Sequence, residues 1–162
     1  MEYASKLRVE YVPYSMRGKS IARAFLAWLP APKWRLLEDF CYQLPDGTKI
    51  VVPKGFEFDG ASVPRLFWII MSPVGLLFIP GLIHDYAYKN GCLWAVNETG
   101  QLSAYGENTK WRWDLLFRSV AHQENGPRIL HNVAWLGLLV WPFAWWSRKR
   151  GQTPEKPRAH HC

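Results

Sequence analysis

Two short segments of the sequence carry side chains that are suited to proton transfer. Asp59-Gly60-Ala61-Ser62 places a carboxylate and a hydroxyl beside a glycine, which allows a close approach of the backbone. His84 and Asp85 place an imidazole next to a second carboxylate. Histidine titrates nearest to neutral pH, and a histidine oriented by a carboxylate can act as a general base toward water. The residue types therefore indicate water activation.

A third segment adds Asp114, which lies inside the apolar run Trp111 to Phe117. Charged groups within apolar helical runs are rarely buried without a partner. We therefore expect a carboxylate of Asp59 or Asp114 within hydrogen-bond reach of a His84 ring nitrogen.

These residues allow a catalytic and a structural interpretation. In the catalytic one, His84 is the general base, Asp114 orients it, and two other carboxylates bind a divalent cation or polarise water. In the structural one, the same groups satisfy loop amides, fill the core or face solvent. The candidate catalytic residues are His84, Asp114, Ser62 and Tyr88, and the candidate ligands of a divalent cation are Asp59 and Asp85.

Five sequence blocks occur in order between Trp34 and about Val120. They are Phe40-x-Tyr42, Val52-Pro-x-Gly-Phe56, Phe58-Asp-Gly-Ala-Ser-x-Pro64 with Phe67-Trp68, His84-Asp-Tyr-x-Tyr88, and Asp114-x-x-Phe117. In order and spacing they resemble the phage- and prophage-associated domain of unknown function 1353 (DUF1353). The resemblance implies a viral accessory protein, and its motif residues map onto Asp59, Ser62, His84, Asp85, Tyr88 and Asp114.

The order of His84, Asp85, Tyr88 and Asp114 is also similar, more loosely, to that of phospholipase A2. That similarity implies a histidine that activates water, a distant aspartate that orients it, and an adjacent aspartate that holds calcium. The chain departs from the pattern because it lacks the flanking cysteines and a glycine-rich calcium loop just upstream.

The elements that must position these residues predict an α+β fold, a small antiparallel sheet from the N-terminal half packed with two or three helices from the C-terminal half. Apolar residues at every second position predict the strands. Pro, Gly and capping residues mark the ends of the predicted helices. The predicted elements are a strand near 6–13, a hairpin of 34–44 and 49–52, a shaped loop at 53–64, helices at about 80–90, 110–124 and 127–146, and a loop or excursion at 91–107.

The length and charge of the chain limit its domain organisation and the kinds of partner that it can bind. The chain has 162 residues, ten tryptophans and a net charge of +7, which predicts one α+β domain at 1–146 with a basic tail at 147–162. The tail holds five Lys or Arg residues against one Glu, a net charge of +4. Basic charge concentrated in a short tail argues against sequence-specific binding of nucleic acid. Cys41, Cys92 and Cys162 lack zinc-site spacing and predict reduced thiols.

The last predicted helix contains the uncharged stretch 133–146, followed by Arg148-Lys149-Arg150. Fourteen residues are fewer than the roughly 20 that cross a bilayer, so packing in the core or peripheral contact with an anionic membrane is expected. The N-terminus lacks the pattern of a signal peptide, which predicts a location in the host cytoplasm or the virion.

Three hypotheses follow for function. The first is a phage-encoded accessory protein with a hydrolase-like His/Asp site, assisted by a divalent cation in one version. The second is a non-catalytic virion or host-interaction protein that binds a phage or host protein partner, with a structural His/Asp cluster. The third is a membrane-associated accessory protein that acts through its last helix.

Overall fold

The computed structural model describes residues 4–13, 33–58, 77–106, 109–124 and 127–140. In these residues two antiparallel sheets from the first two thirds of the chain pack with three helices, so the predicted α+β class is confirmed. The strands are β1 (Val9–Val12), β2 (Lys33–Leu36), β3 (Phe40–Gln43), β4 (Lys49–Val52), β5 (Glu57–Phe58), β6 (Leu93–Val96) and β7 (Leu102–Tyr105). The helices are α1 (Phe78–Asn90), α2 (Lys110–Gln123) and α3 (Arg128–Val140).

One sheet has the strand order β1-β2-β5, and the other has the order β3-β4-β6-β7. The predicted hairpin is the β3–β4 pair, in which Phe40 lies opposite Val52. Its turn forms because Asp46 Oδ1 accepts a hydrogen bond of 2.9 Å from the Thr48 amide, while Gly47 supplies the required positive φ of 86°. The hairpin prediction is confirmed.

The prediction of a continuous strand from Trp34 to Leu44 is wrong, because the chain breaks at residues 37–39 and β2 and β3 belong to different sheets. Asp39 occupies the break, and its Oδ1 accepts a hydrogen bond of 2.6 Å from the Lys54 amide. The break does not change the alternation of buried and exposed side chains along the chain, so even-numbered residues face the core both in β2 and in β3. The apolar residues at even-numbered positions on either side of the break are therefore all buried: Leu36, Phe40, Tyr42 and Leu44.

The segment 91–107, predicted as a loop or excursion, contains the hairpin of β6 and β7. Asn97 builds its turn, because its Oδ1 accepts hydrogen bonds from the amides of Thr99 at 3.1 Å and Gln101 at 2.7 Å. Only one residue of the two strands, Leu93, is fully buried. The period-two signal that identifies a strand was therefore weak here.

The helix predictions are confirmed in the described residues. Pro80 lies in the first turn of α1, and Gly91 ends that helix in the left-handed conformation with φ 73°. Thr109 is the residue before α2, although its side chain makes no capping hydrogen bond. The predicted last helix begins at Arg128, and its predicted end at 146 lies outside the described residues.

The packing of the helices brings the candidate site together. Leu82, Ile83 and Tyr86 of α1 are buried in a core with the β3–β4 hairpin and with Trp113 of α2. On another face of α2, Phe117 and Ala121 pack against Ala134 of α3 in a second cluster. Helix α2 thus lies between α1 and α3.

Two further predictions concern the cysteines and the tail. Cys41 is disulfide-bonded and Cys92 carries a free thiol, so the prediction of reduced thiols is wrong at Cys41 and confirmed at Cys92. Separation along the sequence did not reveal which thiols lie close in space. Cys162 and the whole predicted tail, 147–162, lie outside the described residues, and the domain boundary stays a prediction.

Candidate functional site

The site centres on His84, which helix α1 carries on its face toward α2. Only 7% of His84 is exposed, and its neighbour Asp85 is also buried. The flanking residues Leu82, Ile83 and Tyr86 anchor this part of the helix in the core. The backbone that carries the imidazole is therefore held by apolar packing on both sides of the histidine along the chain.

The predicted contact between His84 and Asp114 is present. His84 Nε2 lies 3.0 Å from Asp114 Oδ1, and Asp114 is only 1% exposed. An ionised carboxylate is only an acceptor, so the Nε2–H of His84 donates to Asp114. In the neutral ring, Nδ1 then carries the lone pair, which is the atom that a general base uses.

Lys110 completes the site and is not among the residues that the sequence predicted. Its Nζ donates to Asp114 Oδ2 at 2.5 Å and to the backbone carbonyl oxygen of Leu138 in α3 at 3.0 Å. The spacing of four residues between Lys110 and Asp114 places them on one face of α2 and was the signal that could have identified the pair. Both oxygens of Asp114 are thereby engaged, and the cluster joins all three described helices.

Asp85 lies on the other side of the imidazole from Asp114. Its Oδ1 is 3.9 Å from His84 Nδ1, which is longer than a direct hydrogen bond. A single oxygen atom hydrogen-bonded to both groups spans such a distance. The geometry thus places a carboxylate where it can orient a water molecule toward Nδ1.

Two aromatic rings fix the orientation of the imidazole. Tyr88, which follows His84 by four residues on α1, stacks on His84 with a centroid distance of 5.5 Å and an interplanar angle of 25°. Phe117 of α2 meets the ring edge-on at 5.7 Å. With Asp114 at Nε2, these contacts leave the ring little freedom to rotate.

Burial and the neighbouring carboxylates shift the pKa of His84 in opposite directions. Burial lowers the pKa of the imidazole, but the hydrogen bond to Asp114 and the charges of Asp85 and Asp114 raise it more, so the pKa of His84 lies above its ordinary value. The imidazolium is thus stabilised by neighbouring carboxylates. This is the form that a general base takes after it accepts a proton.

Asp59 and Ser62 lie outside the described residues, so their predicted places beside His84 stay predictions. Within the ranges that the structure describes, no group of three or more His, Cys, Asp or Glu side chains is arranged to hold a metal ion. Of the two predicted cation ligands, Asp59 and Asp85, the structure describes only Asp85.

A cavity of about 290 Å³ lies on the opposite side of α2 from Asp114, where Arg112, Leu116 and Ser119 line it together with Tyr105. No residue of the His84 cluster lines this cavity. Cavity volume and the candidate chemistry therefore point to different sides of α2. The cavity has its own polar pair, in which the Tyr105 hydroxyl donates to Asp46 Oδ2 at 2.6 Å. Burial and Asp46 raise the pKa of Tyr105 to about 12, so this hydroxyl keeps its proton near neutral pH, and we assign the site to the His84 cluster.

His131 of α3 is fully buried, and its two ring nitrogens have no hydrogen-bond partner among the described residues. Burial and the nearby His122 lower the pKa of His131 below 6.5. A histidine with a lowered pKa stabilises the fold above pH 6.5, and this contribution is lost as the pH falls from 6.5 toward the folded-state value. His84, with its raised pKa, has the opposite effect and contributes below pH 6.5.

We therefore expect the free energy of unfolding to decrease as the pH falls below 6.5. In urea titrations at a series of pH values, His131→Leu should flatten this acid limb, whereas the exposed His122→Gln should leave most of it. An acid limb that is identical in His131→Leu and the wild-type protein would contradict the assignment.

Comparisons with known proteins agree with the sequence blocks. A family model described as "Protein of unknown function (DUF1353)" matches residues 34–138, more than half of the chain. The chain is 44% identical over 59 residues to the "Uncharacterized protein y4jT" of Sinorhizobium fredii (strain NBRC 101917 / NGR234). This match covers 35% of the chain and 18% of that protein. No solved structure matches the chain.

None of the described helices is both long and apolar enough to cross a membrane.

Proposed function

The chain belongs to the family described as Protein of unknown function (DUF1353), and we propose that it is a phage-encoded accessory protein with a hydrolase-like site in which His84 activates water. The observation that carries the proposal is the 3.0 Å contact between His84 Nε2 and Asp114 Oδ1. This contact leaves Nδ1 as the basic atom, and Nδ1 faces a second carboxylate at 3.9 Å.

The reaction begins with a water molecule between His84 Nδ1 and Asp85. Nδ1 accepts one proton of the water as its oxygen attacks the electrophilic carbon or phosphorus of the substrate. The imidazolium that forms donates to Asp114 through Nε2 and is stabilised by the negative charge of that carboxylate. His84 then returns the proton to the leaving group, so the neutral base is restored.

Lys110 acts on this reaction through Asp114. Its ammonium group holds Oδ2, which fixes the carboxylate so that Oδ1 faces His84 Nε2. Lys110 is thus a positioning residue that holds Asp114 in the orientation that faces His84.

Asp85 is the described residue through which a divalent cation would assist the reaction, with Asp59 as the second predicted ligand. A carboxylate beside the attacking water can hold a cation that polarises that water or the substrate. Activity that is lost on chelation with EDTA and restored by one divalent cation would support the assisted version. Activity that persists after chelation would leave Asp85 the role of orienting water.

The experiment that tests the general base is chemical modification of the histidines with diethyl pyrocarbonate, which acylates an accessible neutral imidazole nitrogen. The folded protein offers two controls, because His122 is exposed and His131 is fully buried. We expect His84 to react faster than His131 when peptides are analysed by mass spectrometry. Its rate should rise with pH above 6.5, because the pKa of His84 is raised. If the reagent modifies His122 but not His84, then Nδ1 of His84 is not accessible, and the proposed general base is contradicted.

A second candidate function is a non-catalytic virion or host-interaction protein, and one observation favours it. Lys110 connects Asp114 of α2 with the carbonyl of Leu138 in α3, while Asp114 contacts His84 of α1. Such a cluster can hold three helices together without any chemistry. In that case the protein acts by binding a phage or host protein, and His84 is protected from modification until the fold opens.

A further inference from the structure

Helix α3 has an apolar face on the side away from α2. Ile129 is 76% exposed, Val133 is 38% exposed and Leu136 is 51% exposed. Spacings of four and three residues place these side chains on one face of a helix. The opposite face carries His131 and Ala134, which are buried in the packing against α2.

This outer face carries no charge, and the only Lys, Arg, Asp or Glu of α3 is its first residue, Arg128. A helix that is apolar on both sides is ordinarily covered on both sides. Three aliphatic side chains aligned on a surface thus mark an interaction site more often than three scattered ones do.

The charge of the neighbouring sequence identifies the occupant. The chain continues from α3 with Trp141, Trp145 and Trp146, followed by Arg148-Lys149-Arg150. Tryptophan prefers the boundary between water and lipid, and clustered Lys and Arg residues are attracted to anionic headgroups. An apolar helix face with an aromatic and basic continuation matches the composition of helices that lie in the plane of a membrane surface.

We propose that the outer face of α3, defined by Ile129, Val133 and Leu136, docks on an anionic lipid surface with the helix lying along it. A second copy of the chain fits this face less well, because a stable dimer interface buries about 800 Å² per partner and three partly exposed side chains offer much less. Insertion of a few side chains together with electrostatic attraction is sufficient for peripheral binding. The proposal does not depend on the chemistry of His84.

The test is sedimentation of the full-length protein with vesicles of phosphatidylglycerol and phosphatidylcholine, and with vesicles of phosphatidylcholine alone. We expect binding to the anionic vesicles that weakens as the salt concentration rises. The double variant Ile129→Gln/Leu136→Gln should bind about tenfold more weakly, because two apolar side chains no longer enter the lipid. Leu37→Gln is the matched control, since Leu37 is also exposed, at 39%, but lies in the break between β2 and β3. Its binding should equal that of the wild type.

Three outcomes would overturn the proposal. The first is equal binding of the double variant and the wild type, or no binding to anionic vesicles. The second is a wild-type dimer in light scattering that the double variant converts to a monomer, which would make a second copy the occupant. The third is a lowered melting temperature of the double variant relative to Leu37→Gln, which would mean that the chain itself covers this face.

Discussion

His84→Gln is expected to lower the rate of hydrolysis about 100- to 10,000-fold, the usual contribution of a general base. Glutamine can retain a hydrogen bond to Asp114 but cannot accept a proton from water. The measurement is kcat for whichever ester, phosphoester or amide of a substrate panel the wild-type protein turns over. The fold should persist, because Asp114 keeps Lys110 as its counter-charge and the glutamine amide can replace the imidazole as a hydrogen-bond donor.

The control for this result is His122→Gln, which removes an exposed imidazole from the end of α2. It should retain the wild-type rate, since exposed histidines contribute only unspecific imidazole catalysis. Turnover that survives His84→Gln would remove the basis for His84 as the general base. Loss of the fold in His84→Gln, together with an absence of turnover in the wild type, would favour the structural role of the cluster.

Asp114→Asn is expected to lower the free energy of unfolding by about 3 kcal/mol, because breaking a buried ion pair leaves an uncompensated charge. Asp114 is buried and contacts Lys110 and His84 through its two oxygens. The expected loss is at the lower end of the usual range, because the Lys110 side chain is 26% exposed and can regain some hydration. Urea unfolding at neutral pH gives the value.

The matched control is Glu38→Gln, which breaks the exposed ion pair between Arg8 and Glu38. Surface pairs contribute at most about 1 kcal/mol, so this variant should be nearly as stable as the wild type. Similar small losses for Asp114→Asn and Glu38→Gln would show that the buried pair does not hold the helices together.

The sequence predicted the helices well, because each is bounded by residues with a local physical role. Pro80 and Gly91 bound α1, and the apolar pattern from Lys110 onward was long enough to show its period. The hairpin of β6 and β7 was missed because its strands are mostly half-exposed and have little alternation. The break between β2 and β3 was missed because the alternation of buried and exposed residues continues unchanged across it.

The candidate site was predictable to the extent that its charges had to find partners. Asp114 lay in an apolar helical run, and its contact with His84 follows from the cost of burying an unpaired carboxylate. Lys110 was not predicted, since a lysine at the start of a helix is usually solvated and its contact with Leu138 depends on how α3 packs. The spacing of four residues could have identified the pair of Lys110 and Asp114. The contact of Lys110 with Leu138 is a consequence of tertiary structure, which local sequence patterns do not encode.

The measurement that tests the central claim most directly is the NMR spectrum of the protein labelled with ¹⁵N in histidine. The resonances of His84 are assigned by comparison with His84→Gln. A water-activating base oriented by Asp114 predicts a neutral ring with the proton on Nε2 and an unprotonated Nδ1. It also predicts titration above pH 6.5 that moves back toward 6.5 in Asp114→Asn. A neutral ring with the proton on Nδ1, or a titration that Asp114→Asn leaves unchanged, would contradict it.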